Sequence, residues 1–203
     1  MPSDFERPVA PGEHRLAIFA SGAGTNAENV IRYFRSHASI YVALIVTNKP
    51  TAGVIEVAAR YGIPCEVRVL RTEEDTAAML DLLSRNRIEM ILLAGYLSLI
   101  PSAVIARYPH RIYNIHPALL PKYGGRGMYG RRVHEAVYTA GERETGITIH
   151  EVDEVYDHGA VVFQATTEIT PEDTPATIEE KVRALEYRHL PHVVEKLLLT
   201  GRN

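Results

Sequence analysis

The stretch RLAIFASGAGTNAENVI, residues 15–31, decides the fold. Its first six residues, Arg15–Ala20, are almost wholly apolar, as a strand covered on both faces must be. From Thr25 to His37 the apolar positions Ala27, Val30, Ile31 and Phe34 recur with helical spacing. Between them lies a turn rich in small residues. Strand, glycine turn and helix in that order open a doubly wound α/β sheet.

The pattern continues outward. Strands are expected at Ile40–Asn48, in PCEVRVL (residues 64–70) and at Glu89–Gly95. Helices are expected at Ala52–Gly62, at Thr72–Asn86 with Thr72 and Asp75 placed as a partial capping box, and in IPSAVIARY entered through Pro101. Apolar strands alternating with helices give a mostly parallel central sheet with helices on both faces. After a helix in RRVHEAVYTAG, the segments TGITIHEV and AVVFQATTEI alternate like an antiparallel C-terminal strand pair. A last helix, residues 174–199, carries Pro191, which should kink or divide it. The class is α/β. Residues 1–14 read as a flexible N-terminal tail and 15–203 as a single domain.

Composition narrows the function. The formal net charge of −3 over 203 residues argues against a nucleic-acid binder, whose footprint would be strongly basic. No run approaches the ~20 apolar residues of a membrane span. The start has no basic-then-apolar signal sequence, so the cytoplasm is the expected location. One cysteine, Cys65, excludes an internal disulfide framework and a multi-cysteine zinc site, and reads as a small buried hydrophobe. The nine histidines form no recognised metal-binding motif, so no metal is expected.

Two segments carry the chemistry. In SGAGTN, Gly22 and Gly24 let the backbone approach a ligand, and Thr25 and Asn26 offer cap-like side chains. A helix N-terminus behind such a turn suits an anion. Ala27 stands where a third fingerprint glycine would be, so a simple phosphate fits better than a dinucleotide. A structural turn that merely needs glycine is the alternative. In RIYNIHPALLPKYGG, residues 111–125, Asn114 and His116 fall on one face of a strand that Pro117 must end. The result is an amide and an imidazole side by side at a strand terminus. Among the acidic residues Glu151, Asp153, Glu154 and Asp157, the last stands out slightly, because it precedes the turn His158-Gly159. His150 reads as packing or as a supporting donor, and His134, on an amphipathic helix, as structural or surface.

The segments SGAGTN, VTNKPTAGVIEVAARYGIP, ILLAGY, NIHPALLPKY and DHGAVV, in this order, resemble the phosphoribosylglycinamide formyltransferase family. The likeness runs from about Arg15 to Leu199, and NIHPALLP is its most specific part. The resemblance implies a Rossmann-like formyltransferase fold. It also implies transfer of the formyl group of 10-formyltetrahydrofolate, the co-substrate, to the amine of glycinamide ribonucleotide in purine biosynthesis. It places Asn114, His116 and Asp157 in the catalytic positions. Gly24, Thr25, Asn26 and Glu186 fall on the ribonucleotide side, and Tyr96, Leu97 and Ile100 on the folate side. Two departures stand out: Ser98 occupies a position where the family often has arginine, and the segment after LLPKY is longer than its common form. The expected partners are small-molecule substrates, with no nucleic acid and no membrane, and a homodimer is the candidate assembly. Lys122 and Arg126 are candidate contacts for a polyglutamate tail, with solvation their ordinary role.

Formyl transfer to an amine passes through a tetrahedral centre with a developing oxyanion. Asn114 would stabilise that oxygen. His116 would help it or relay a proton, and Asp157 would hold the imidazolium charge or order a water. The competing readings are a hydrolase releasing formate from the same folate with the same three residues, and a non-catalytic ligand-binding module.

Overall fold

The computed structural model describes residues 12–200. Five parallel strands form its frame: β1 (His14–Phe19), β2 (Ile40–Thr47), β3 (Cys65–Val67), β4 (Met90–Leu93) and β5 (Ile112–His116). The antiparallel strands β6 (Glu144–Glu151) and β7 (Val161–Glu168) complete one seven-stranded sheet in the order β3-β2-β1-β4-β5-β6-β7. Helices α1 (Thr25–Phe34), α2 (Val54–Tyr61), α3 (Glu73–Arg85), α4 (Ser102–Arg107), α5 (Arg131–Thr139) and α6 (Pro175–Thr200) connect and cover it. The class, the mostly parallel sheet and the antiparallel C-terminal pair agree with the sequence reading. Residues 1–11 of the expected tail lie outside the described residues, and His14 already opens β1.

Alternation along the buried strands splits the core in two. Leu16 and Ile18 pack with α1, α2 and α6, whereas Ala17 and Phe19 pack with α3 and α4. The chain reverses direction across the sheet at β1 and β4, because β2 flanks β1 on one side and β4 on the other. Ligands of open α/β sheets bind at the carboxyl ends of the strands beside such a switch point.

Local boundaries follow caps and packing. Thr72 and Asp75 do form the capping box at the start of α3. Helix α1 stops at Phe34, short of His37, and β3 keeps only three of the seven residues in PCEVRVL. Cys65 is half-buried rather than fully enclosed.

Of the two outcomes expected at Pro191, a kink or a division of the last helix, division is corrected: α6 runs unbroken through it. Proline at 191 removes the N–H that would bond the carbonyl of Tyr187. Asn29 Nδ2, on α1, donates to that carbonyl at 3.0 Å. Asn26 bonds Glu186 on the same side, and Tyr33 donates to Glu195, so a polar seam joins α1 to α6 along its length.

Candidate active site

Strand β5 ends with Asn114 and His116 on the face that carries Ile112, opposite Tyr113 and Ile115. Across the antiparallel pairing, Asn114 stands opposite His150 and His116 opposite Thr148. Thr148 Oγ1 fixes the chain as it leaves the strand: it donates to the Ala118 carbonyl at 2.7 Å and accepts from the Leu120 amide at 3.0 Å. Gln164, the partner of Thr148 on β7, donates to the same hydroxyl and to the Leu120 carbonyl. Pro117 and Pro121 therefore sit in an exit pinned by β6 and β7.

Asp157 reaches this pair from the loop between β6 and β7. It adopts a left-handed backbone with φ 55°, in a loop that turns tightly at Gly159. A Cβ at Gly159 would lie 2.0 Å from the Glu151 carbonyl, so only glycine passes there. The Asp157 carboxylate accepts from the Gly125 amide at 2.8 Å and from Asn114 Nδ2 at 3.3 Å. His116 Nδ1 lies 3.5 Å from its Oδ2.

The hydrogen bonds fix the tautomers, because a carbonyl can only accept. His116 Nε2 donates to the Tyr123 carbonyl at 2.8 Å, so in the neutral ring Nδ1 turns its lone pair to Asp157. His150 Nδ1 donates to the Glu151 carbonyl at 2.7 Å, so its Nε2 accepts from Asn114 Nδ2 at 3.0 Å. Burial pushes the His116 pKa below its ordinary value, more strongly than the Asp157 charge raises it. Burial would raise Asp157, but His150, His116 and the Gly125 N–H together hold it below the usual carboxylate range. Near neutral pH the pair is an unprotonated imidazole beside a carboxylate, two proton acceptors facing one another.

These residues wall a cavity of about 610 Å³. The turn after β1 lines its other end. Gly24 has φ 80°, and a Cβ there would come 2.8 Å from Val54 Cα, so the close approach of the turn to α2 requires glycine. Thr25 and Asn26 do not cap α1; its N-terminus has no side-chain cap, and its first amides stay open to an anion. Asn26 Nδ2 instead donates to Glu186 on α6 at 3.0 Å. Burial lifts the Glu186 carboxyl to a pKa of about 7, against the Asn26 hydrogen bond and the charge of Arg183, which lower it.

The cavity brings together Asn114, His116, Asp157, Gly24, Thr25, Asn26, Glu186, Tyr96 and Leu97. Ile100 is not among its lining residues and packs in the core with α3 and α4. Ser98, at the arginine position, accepts from Asn48 Nδ2, and Asn48 accepts from Ser21, tying the loops after β1, β2 and β4 together. Lys122 pairs with Glu142 on the surface, and Arg126 lines the cavity. Among the described residues no group of three His, Cys, Asp or Glu side chains is placed to hold a metal ion.

Two residues count for more than the sequence suggested. His150 is 2% exposed and bonded to Asn114, a juxtaposition that only the β5–β6 register reveals. His134, on α5, is 3% exposed and lines the cavity. Four buried side-chain atoms lack a hydrogen-bond partner among the described residues. Three of them, Asn26 Oδ1, Tyr96 OH and His134 Nδ1, belong to residues lining this one cavity.

Residues 14–194 match the formyl transferase family. A phosphoribosylglycinamide formyltransferase of Bacillus subtilis is 36% identical over 91% of this chain and 94% of its own length. The chloroplastic phosphoribosylglycinamide formyltransferase of Arabidopsis thaliana is 40% identical over 91% of this chain, which spans 65% of that relative. The chain spans 60% of a similar chloroplastic relative from Vigna unguiculata. The crystal structure of phosphoribosylglycinamide formyltransferase from Bacillus Halodurans superposes with a TM-score of 0.83 at 36% identity, covering 93% of this chain and 97% of that one. Glycinamide ribonucleotide transformylase 1 from Geobacillus kaustophilus superposes with a TM-score of 0.82 over 92% of this chain and 99% of its own. By sequence and by fold, this chain belongs to the phosphoribosylglycinamide formyltransferases of the formyl transferase family.

Proposed function

We propose that the protein transfers the formyl group of 10-formyltetrahydrofolate to the primary amine of glycinamide ribonucleotide. One observation carries the reading: a pair of proton acceptors with an amide donor, His116, Asp157 and Asn114, shares one cavity with an uncapped helix N-terminus behind a glycine turn. Proton-transfer groups suit a neutral amine nucleophile, and the open amides suit the phosphate of a ribonucleotide.

In this reading the substrate amine attacks the formyl carbon, a C–N bond forms, and the carbonyl oxygen becomes an oxyanion. Asn114 donates to that oxygen; its longer bond, the one to Asp157, is the one exchanged. The proton lost by the amine passes to His116 Nδ1, where the imidazolium pairs with Asp157. Collapse breaks the bond to N10 of the folate, which takes up the proton. The ribonucleotide phosphate lies on the turn at Gly24, Thr25 and Asn26, with Glu186 against its sugar. Tyr96 and Leu97 line the folate side, with Ile100 behind them in the core. No metal takes part. A single domain from residue 15 to 203, a cytoplasmic location and a possible homodimeric assembly belong to the same proposal. Two plant relatives are named chloroplastic, and no helix among the described residues is long and apolar enough to cross a membrane.

The test follows folate deformylation by absorbance with purified protein. Loss of the formyl group only when the ribonucleotide is present supports the transferase. Deformylation without it makes the protein a hydrolase, and no reaction from folded protein leaves a binding module.

A further inference from the structure

Helix α5 buries one imidazole that no group among the described residues hydrogen-bonds. His134 is buried to 3% exposure and lines the cavity, yet its Nδ1 has no hydrogen-bond partner among the described residues. A ring nitrogen enclosed without a partner costs stability, so packing does not account for the imidazole, and its other nitrogen, Nε2, is the one left to bond a ligand. Packing alone would be served better by an apolar side chain, since its neighbours on the helix, Val133 and Val137, are both buried in a small hydrophobic cluster.

The chemistry of the ring narrows what it does. An orphaned buried N–H is rarer than an orphaned acceptor, so the ring proton belongs on Nε2 and Nδ1 keeps its lone pair. Burial also lowers the pKa of His134, against the charge of Glu179, which raises it; Arg183 and His116 lower it further. The ring is then neutral and offers one donor.

Its surroundings select the ligand. Glu179, Val182, Arg183 and Glu186 of α6 all line the cavity at helical spacing. That stripe ends at the Glu186–Asn26 bond beside the glycine turn. His134 feels the charges of Glu179 and Arg183 on that stripe and also that of His116, which places it near both α6 and the proton-transfer pair. Tyr96 and Leu97, on the opposite strand ends, come from the loop after β4.

We propose that His134 is a substrate-binding residue that donates a hydrogen bond from its imidazole to an oxygen of the ribonucleotide, and not to the folate. This rests on the ribonucleotide reading above and adds a contact on α5 to those on the glycine turn and α6.

Two substitutions test it in the full-length enzyme. His134→Leu keeps the volume and removes the donor; His134→Gln keeps an amide N–H near the position of Nε2. The expected result for His134→Leu is a rise of roughly tenfold in KM for glycinamide ribonucleotide, the size of one lost neutral hydrogen bond, with KM for the formyl folate unchanged. Its melting temperature should equal or exceed that of the wild type. His134→Gln should restore KM for the ribonucleotide to within about threefold. A purely structural histidine would instead lower the melting temperature of the leucine variant and leave both KM values alone, which overturns the proposal. A rise in KM for the folate overturns it as well. If the leucine variant does not fold, nitrogen NMR of wild-type His134 decides: the ring resonances must move when the ribonucleotide is added, and static resonances overturn the contact. Wild-type protein that turns over the ribonucleotide while these tests fail leaves the transferase reading standing and removes only this residue from it.

Discussion

The two ends of the cavity are built on opposite principles. At the β5–β6 end, Asn114 bonds His150 and Asp157, and the backbone at Glu151, Tyr123 and Gly125 holds His150, His116 and Asp157 in place. At the other end, α1 starts without a cap, and Asn26 Oδ1 has no partner among the described residues. One end is held in place by bonds within the protein, with only His116 Nδ1 left facing Asp157, whereas the other has its helix amides and Asn26 Oδ1 left over. Preorganised dipoles lower a barrier because they need no rearrangement during the reaction, and an incompletely paired surface gains its bonds only when substrate arrives. On the proposed function, chemistry and binding are divided spatially, and mutations at the two ends should fail in different ways.

The largest effects belong to the β5–β6 end. His116→Ala or Asp157→Asn should reduce kcat by about 10²–10⁴-fold, the usual worth of a positioned proton-transfer group. Asn114→Ala should cost about 10²–10³-fold, as loss of an oxyanion donor does. Steady-state kinetics with both substrates saturating would measure both. The pH profile sharpens the assignment. Burial holds the His116 pKa below its ordinary 6.5, so the acid limb of kcat should fall below that pH. The Asp157 charge raises His116, so the residual activity of Asp157→Asn should have its acid limb displaced further toward acid.

Intermediate effects belong to the open end. Gly24→Ala forces a Cβ within 2.8 Å of Val54 Cα at a φ of 80°, so the turn must move. KM for the ribonucleotide should rise by roughly tenfold or more, since uniform binding is lost, with kcat less affected. An equal loss in kcat would blur the division between the two ends. Supporting residues come next: His150→Leu removes one partner from the Asn114 amide and one from the Glu151 carbonyl and should cost about 1–3 kcal/mol, read by chemical denaturation.

The smallest effect is electrostatic. Glu186 has a folded pKa of about 7, above its ordinary 4.5. Folding therefore favours its protonated form, and the stability this gives is complete below pH 4.5 and lost as pH rises through about 7. Glu186→Gln should accordingly gain on the wild type at pH 8 and not at pH 4.5. For about 1 kcal/mol the difference in melting temperature is roughly 2–4 °C.

Sequence made the frame legible because its signals are local. The apolar run Leu16–Ala20, the glycine turn and the helical spacing from Ala27 to Phe34 lie within twenty residues of one another. The parity of Asn114 and His116 required only the period of a strand. What escaped depends on register and distance. His150 became central because the β5–β6 pairing sets it against Asn114, 36 residues away. His134 looked like any residue of an amphipathic helix, since periodicity gives a face but not what the face meets. Pro191 failed to break α6 because its freed carbonyl finds Asn29, 158 residues earlier in the chain. Asp157 was barely visible from its turn and stood out through the family resemblance.

The division between the two ends is tested most directly by calorimetric binding of glycinamide ribonucleotide to His116→Ala protein. The account predicts a Kd within about threefold of wild type alongside lost turnover, because the imidazole acts on the reacting atoms and the ribonucleotide is held elsewhere. A Kd that worsens in proportion to the loss of kcat would contradict it, and would mean that binding and chemistry share the same residues.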